Sequence, residues 1–237
     1  MIKILMSGLL AVALLAAPAT FAHNAAAYAG KPGKPTKPSK AARKAAKAAN
    51  AAAPTPVAAT VYKLQSQLST LGWEGKAVTH GHNGTMQFAS GELTGTGAQL
   101  TGGTVIVDMK TLKATDIKDA DNNAKFVGHM SGNDFFSVEK YPTATFKIVS
   151  VTPIKGAAAD ANNATIAGDM TIRDVTQRIS FPAKVGVKNG SAAASGTVTI
   201  DRTKYGLKYG SKSFFDSIGD KAIYDDFTLN FNVIAKQ

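Results

Sequence analysis

His80 and His82 flank a single glycine, so on an extended strand both imidazoles face one side. With His129 as a third ligand, that spacing could hold a metal ion. No acidic cluster accompanies them in sequence, and hydrogen-bonded or solvent-facing imidazoles are the simpler reading; no metal site is assigned. Ser131 follows His129 closely but lacks the pattern of a nucleophile elbow. Gly95-Thr96-Gly97 and Gly102-Gly103 lie in strand context and lead into no helix, which excludes a P-loop and a dinucleotide fingerprint. Asp225 and Asp226, adjacent on a strand, point to opposite faces and cannot share acid and base duties. These residue types predict a protein that is not an enzyme and uses no cofactor.

The element best placed to organise the rest is Gly128–Phe146. Ser131 and Asp134 have the outline of a capping box, which predicts a short helix carrying Phe135, Phe136 and Val138. Pro142 ends it by pushing Tyr141 out of helical geometry, and Thr143 to Ile148 continue as a strand. Two adjacent Phe rings on such a segment would form a plug, one closing the end of a sheet and the other packing beside it. Helical or turn-like structure is predicted for Asn122–Lys140, and a second short helix or lid for Ser213–Lys221.

The chain has 237 residues, not all of them fold. Residues 1–22 show Lys3, an apolar run and small residues ending at Ala22, the pattern of a secretory leader cleaved after Ala22, or alternatively Ala27. Residues 23–60 form a low-complexity Lys/Pro/Ala tether, predicted to be disordered. The predicted setting is therefore periplasmic or secreted. Of 27 cations, eight lie in residues 1–60 with no acid among them, leaving 19 against 16 acids for the remainder. Basicity belongs to the tether, so a nucleic-acid-binding fold is not indicated; the tether reads first as a solvated spacer and, in the sharper alternative, as a basic arm that contacts an anionic membrane surface or envelope polymer. The absence of cysteine excludes disulfides and leaves stability to burial.

Residues 61–237 alternate with period two. Tyr62, Leu64 and Leu68 share one side, as do Leu71, Trp73 and Ala77. Asn83-Gly84 reads as a hairpin turn leading to Met86 and Phe88. Further dry faces carry Val105, Val107 and Met109; Met170 and Ile172; Phe181, Ala183, Val185 and Val187; Val198 and Ile200; and Phe227, Leu229, Phe231 and Val233. Glycines inside these patterns favour bulges and coiling, and a long coiled antiparallel sheet tends to close. The predicted fold class is all-β with short helices: an antiparallel barrel of about eight strands with a helical plug. Its interior is either a solid core or a cavity, and periodicity does not choose between them.

The ordered motifs resemble the YceI-like family of lipocalin-like, isoprenoid-binding exported proteins. His129-Met130-Ser131-Gly132-Asn133-Asp134-Phe135-Phe136 and Tyr141-Pro142-Thr143-Ala144-Thr145-Phe146 carry the likeness. Trp73, Thr79-His80-Gly81, Val107-Asp108-Met109, Gly168 to Arg173 and Asp201 to Gly206 follow in the family's order. Met130 stands where the family has Leu, and Asp174 where Gly is common. The resemblance implies an apolar tunnel binding a polyisoprenoid or other long-chain lipid, for carriage, storage or stress response. Candidate lumen residues are Trp73, Phe88, Met109, Phe126, Met130, Phe135, Phe146, Met170, Ile172, Phe181, Phe227 and Phe231. His80, Arg173, Asp201 and Arg202 are candidates for a polar head group. The alternative is a filled-barrel interaction protein docked through its basic tether. A homodimer is compatible with the resemblance alone.

Overall fold

A computed structural model describes residues 58–215 and 219–237. The predicted leader, nearly all of the tether and part of the Ser213–Lys221 segment lie outside the described residues. Nine strands follow in chain order: β1 (Thr60–Leu64), β2 (Thr70–Ala77), β3 (Gly81–Thr96), β4 (Gln99–Ala114), β5 (Thr143–Pro153), β6 (Ala164–Ile172), β7 (Val175–Lys188), β8 (Ser191–Asp201) and β9 (Ile223–Lys236). One helix, α1 (Ala120–Ser131), sits between β4 and β5.

The strands form one antiparallel sheet in the order β1-β3-β2-β9-β8-β7-β6-β5-β4, with β3 also paired to β4 and β1 to β9. β1 and β2 lie in succession between the same two neighbours: β1 on Glu92–Gly95 and Ala235–Lys236, β2 on Gly81–Met86 and Ile223–Asn232. They are one stave interrupted by the 3-10 turn Ser66–Leu68. The result is a closed barrel of eight staves, as the alternation predicts. Tyr62 and Leu64 point inward from the split stave, whereas Leu68 lies in the turn and is exposed, contrary to its expected side.

Asn83-Gly84 is not a turn; both residues lie inside β3, and the reversal comes earlier, where Ala77 N–H bonds His80 C=O at 2.7 Å. Gly84 is required there by packing. A Cβ would stand 1.7 Å from the Lys113 carbonyl oxygen and 2.8 Å from Trp73 Cε2. The indole lies over this glycine, with its N–H donating to Lys113 C=O at 3.1 Å. The same device recurs at Gly168, where a Cβ would come within 2.4 Å of the Phe146 ring.

The helix starts and stops earlier than its sequence signals suggest. Asp119, not Ser131, is the N-cap, accepting Asn122 N–H at 2.9 Å, and Ser131 is the last helical residue. Phe135 and Phe136 follow in turns, with Ser137 in the left-handed region (φ 47) and Phe135 buried. At the β6–β7 hairpin Arg173 takes the positive φ (58). The second predicted helix is reduced to a 3-10 turn at Gly219–Lys221 among the described residues.

After β8, Asp201 caps a 3-10 turn, Arg202–Tyr205, by accepting Thr203 N–H at 2.9 Å. Arg202 is buried and donates to the carbonyls of Leu207 (2.7 Å), Tyr209 (2.8 Å), Ile223 (3.0 Å) and Tyr224 (3.0 Å). It fastens the β8–β9 loop to the start of β9, with Asp225 3.6 Å from its guanidinium. Tyr205 is buried beside it, and its hydroxyl has no partner among the described residues.

Two stability predictions follow from this packing. Gly84→Ala should destabilise by about 3 kcal/mol or more, because the clash is with backbone on one side and an anchored ring on the other; an unchanged urea midpoint would refute it. Burial, with a smaller contribution from Asp201, pushes the Tyr205 phenol up to about 12. The folded state thus holds that proton more tightly than the unfolded chain, whose phenol titrates near pH ~10. This contribution is intact below pH ~10 and declines as pH rises towards about 12. Tyr205→Phe should flatten that alkaline decline while leaving neutral-pH stability equal or higher, since an unpaired buried hydroxyl is a cost. Unfolding curves of both proteins across this range provide the check.

Candidate functional site

Inward-facing residues divide the barrel interior into layers. At the closed end Tyr62, Leu64, Leu93 and Leu100 pack with Ala183, Ala192 and Ala235, and all are buried. In the middle lies a cavity of about 80 Å³, whose walls include Phe88, Phe146, Met170, Phe181 and Phe231. Phe181 links the rings, with centroids 5.5 Å from Phe146 and 5.6 Å from Phe231. No polar atom reaches its surface.

The next inward residues towards the start of β3 are Trp73 after Leu71, Met86 before Phe88, and Phe227 before Leu229. These belong to a second cavity, of about 380 Å³, at the mouth. The strands stop here and do not cover it; α1 and the β8–β9 loop do. Asn123 ties the helix down by donating to Ala114 C=O and Ile117 C=O, both at 2.9 Å. Phe126 and Met130, four residues apart on one helical face, then line the mouth, with Phe135 from the following turn. Trp73 stacks on Phe126 with centroids 6.2 Å apart. Across the opening Phe135 and His129 pack on Tyr209 at 5.3 and 4.8 Å.

Ten of the twelve lumen candidates line one cavity or the other: Phe88, Phe146, Met170, Phe181 and Phe231 the inner one, Trp73, Phe126, Met130, Phe135 and Phe227 the mouth. Met109 and Ile172 are buried but line neither. Of the polar candidates, His80 lines the mouth with an open ring edge, and Arg202 reaches it with its donors spent on carbonyls. Arg173 lies over the Tyr141 ring (5.5 Å), and Asp201 holds its 3-10 turn; neither lines a cavity. Leu207 and Tyr209, from a loop without periodicity, and Ile223 and Tyr224, at the start of β9, complete the mouth.

All three histidines of the described residues line the mouth. His80 and His82 stand edge to face at 5.2 Å, and His82 lies 4.4 Å from Phe126. His82 Nδ1 meets Asp116 Oδ2 at 2.7 Å, and Asp116 Oδ1 accepts Asn83 N–H at 3.1 Å. Burial alone would raise the Asp116 pKa, but these hydrogen bonds outweigh it and hold the carboxyl below its ordinary range. Among the described residues no group of three His, Asp or Glu side chains is arranged to hold a metal ion. Tyr209 and Tyr224 add exposed aromatic surface to the opening. Chemically, this is a binding cavity with a dry base and a mixed polar and aromatic opening.

Comparison with known proteins agrees with that architecture. Residues 62–235 match the family model of the YceI-like domain. UPF0312 proteins of Pseudomonas putida strains W619 and GB-1 are 26% identical over 132 residues, covering 53% of this chain and 64% of theirs. The match thus spans less than two thirds of the length of those relatives. Among solved structures, BcnA of Burkholderia cenocepacia superposes with a TM-score of 0.56 at 18% identity, over 73% of this chain and 99% of BcnA. A polyisoprenoid binding domain from Saccharophagus degradans gives 0.50 at 16%, over 74% of this chain and 97% of that domain. These two likenesses show the shared fold. With the family match running from β1 to β9, the chain belongs to the YceI-like family.

Proposed function

We propose that this protein is an exported, non-catalytic carrier or store of a long-chain amphiphile, a polyisoprenoid or similar lipid, held tail-inward in the barrel. The observation that carries the reading is the pair of stacked cavities inside a closed barrel, the inner one wholly apolar and the outer one open at a single end. The mouth volume of about 380 Å³ lies within the range of small-molecule sites, whereas the inner one of about 80 Å³ suits only the end of a tail. Met86 and Met170, flexible thioethers on either side of the boundary, can yield to an advancing chain. Each methylene moved from water into such a lumen contributes roughly 0.8 kcal/mol. The polyisoprenoid binding domain of Saccharophagus degradans, sharing the fold, supports the same class of guest. The leader-like residues 1–22 support a periplasmic or secreted setting.

The test is solvent extraction of the purified full chain followed by mass spectrometry. A long-chain amphiphile near one per protein is the expected result. No extractable lipid, together with no uptake of added long-chain alcohol, would overturn the proposal and favour a filled barrel held by its basic tether. Ala194 lines the inner cavity, so Ala194→Leu fills it from the wall. Losing room for about two methylenes should weaken binding roughly tenfold at little cost in stability. Val149→Leu, at an exposed site lining neither cavity, should leave binding unchanged.

A further inference from the structure

The mouth is richer in hydrogen-bond acceptors than its basic residues suggest. Arg202 spends its donors on four carbonyls, and Lys76 is paired to Glu74 at 2.9 Å. Asp220 and Asp226 line the same opening, together with Lys221. Against this background the state of His82 decides what the site asks of a head group. Asp116 accepts Asn83 N–H through one oxygen and faces His82 Nδ1 with the other. An ionised carboxylate can only accept, so Nδ1 must carry the proton. In the neutral imidazole the other nitrogen, Nε2, is then a lone-pair acceptor. It has no partner among the described residues, and the ring itself lines the mouth cavity against Phe126.

We propose that His82, fixed in this tautomer by Asp116, accepts a hydrogen bond from the ligand and selects a long-chain guest whose head is a neutral hydroxyl. Ethers and carbonyl heads bring no donor to Nε2. Anionic heads meet Asp220 and Asp226. His80, packed on the His82 ring, holds its own Nδ1 3.0 Å from the Thr79 hydroxyl and walls the site from the β2–β3 turn.

This inference rests on the lipid-binding reading, and one experiment separates the two. Farnesol and farnesyl methyl ether share a tail and differ in a single donor. Binding is followed through Trp73, the single tryptophan of the chain, which lines the mouth. Wild-type protein should bind the alcohol about tenfold more tightly than the ether. In Asp116→Asn the new side-chain carbonyl keeps the Asn83 N–H, its amide then donates to Nδ1, and Nε2 must carry the proton. The preference should vanish or reverse. His82→Phe, which keeps the contact with Phe126, should also abolish it, and thermal melts confirm that each variant folds. Nitrogen chemical shifts of the imidazole give an independent reading: Nε2 unprotonated in wild type, protonated in Asp116→Asn. Equal binding of both probes by wild type, or a preference unchanged in Asp116→Asn, overturns the head-group assignment alone. Failure to bind either probe overturns the lipid-binding reading and this inference with it.

Discussion

The strand Gly81–Thr96 meets β4 along one edge and both β2 and β1 along the other, and the barrel exists because those pairings hold together. A sheet of this length left open would present two unpaired edges; closing it on β3 removes them. The register between β3 and β4 slips at three places, between Thr85 and Gln87, Phe88 and Ser90, and Thr94 and Gly95. Such irregularities raise local twist and let a long strand bend round a small circumference. At the largest of them, Thr111 supplies a hydroxyl to Gln87 N–H at 2.8 Å, replacing a lost ladder bond.

Closure also gives the molecule two unlike ends. At the end where β1 pairs with the last residues of β3, buried alanines pack with the large side chains of Tyr62, Leu64, Leu93 and Leu100, which fill the tube. At the other end the Trp73 ring lies closely over Gly84 beside the mouth, and no strand covers the opening. The helix and the β8–β9 loop do so, the helix with partly buried Phe126, Val127 and Met130 and the loop with the buried side chains of Tyr205 and Leu207. Helix α1 has no fully buried residue, and its loop partner is held largely by Arg202. The helix is therefore the cover held by the least burial.

Much of this was legible in the sequence, for a physical reason. A strand with one face dry and one wet leaves a period of two, and that pattern located the long strands and most cavity-lining aromatics. What it missed has no period. Asn-Gly signals a hairpin when judged locally, yet Gly84 is demanded by a ring from the neighbouring strand and a carbonyl from β4. The helix was shifted because Ser131 offers a cap and Pro142 a stop, while the cap in use, Asp119, precedes a polar stretch, Ala120–Lys125. Arg202 read as a head-group candidate because sequence does not reveal four converging carbonyls. Tyr209 and Leu207 reach the mouth from irregular backbone. Met109 and Ile172 are buried in the core but line neither cavity.

The division into a dry inner layer and a polar mouth separates two tasks that one homogeneous cavity would confuse. Apolar burial is non-directional and scales with area, so the inner layer rewards any chain thin enough to enter and discriminates little among tails. Discrimination needs groups whose unmet hydrogen bonds cost more than a methylene gains, and buried polar groups are of that kind. In this barrel they are confined to one end, where rings of Trp73, Phe126 and Phe135 lower the local polarity around His82 and His129 without sealing them from water. An aromatic wall of this sort strengthens each hydrogen bond made to a guest. It also leaves the imidazoles solvated when the site is empty, which spares them the penalty that an unpaired polar group pays in a dry core.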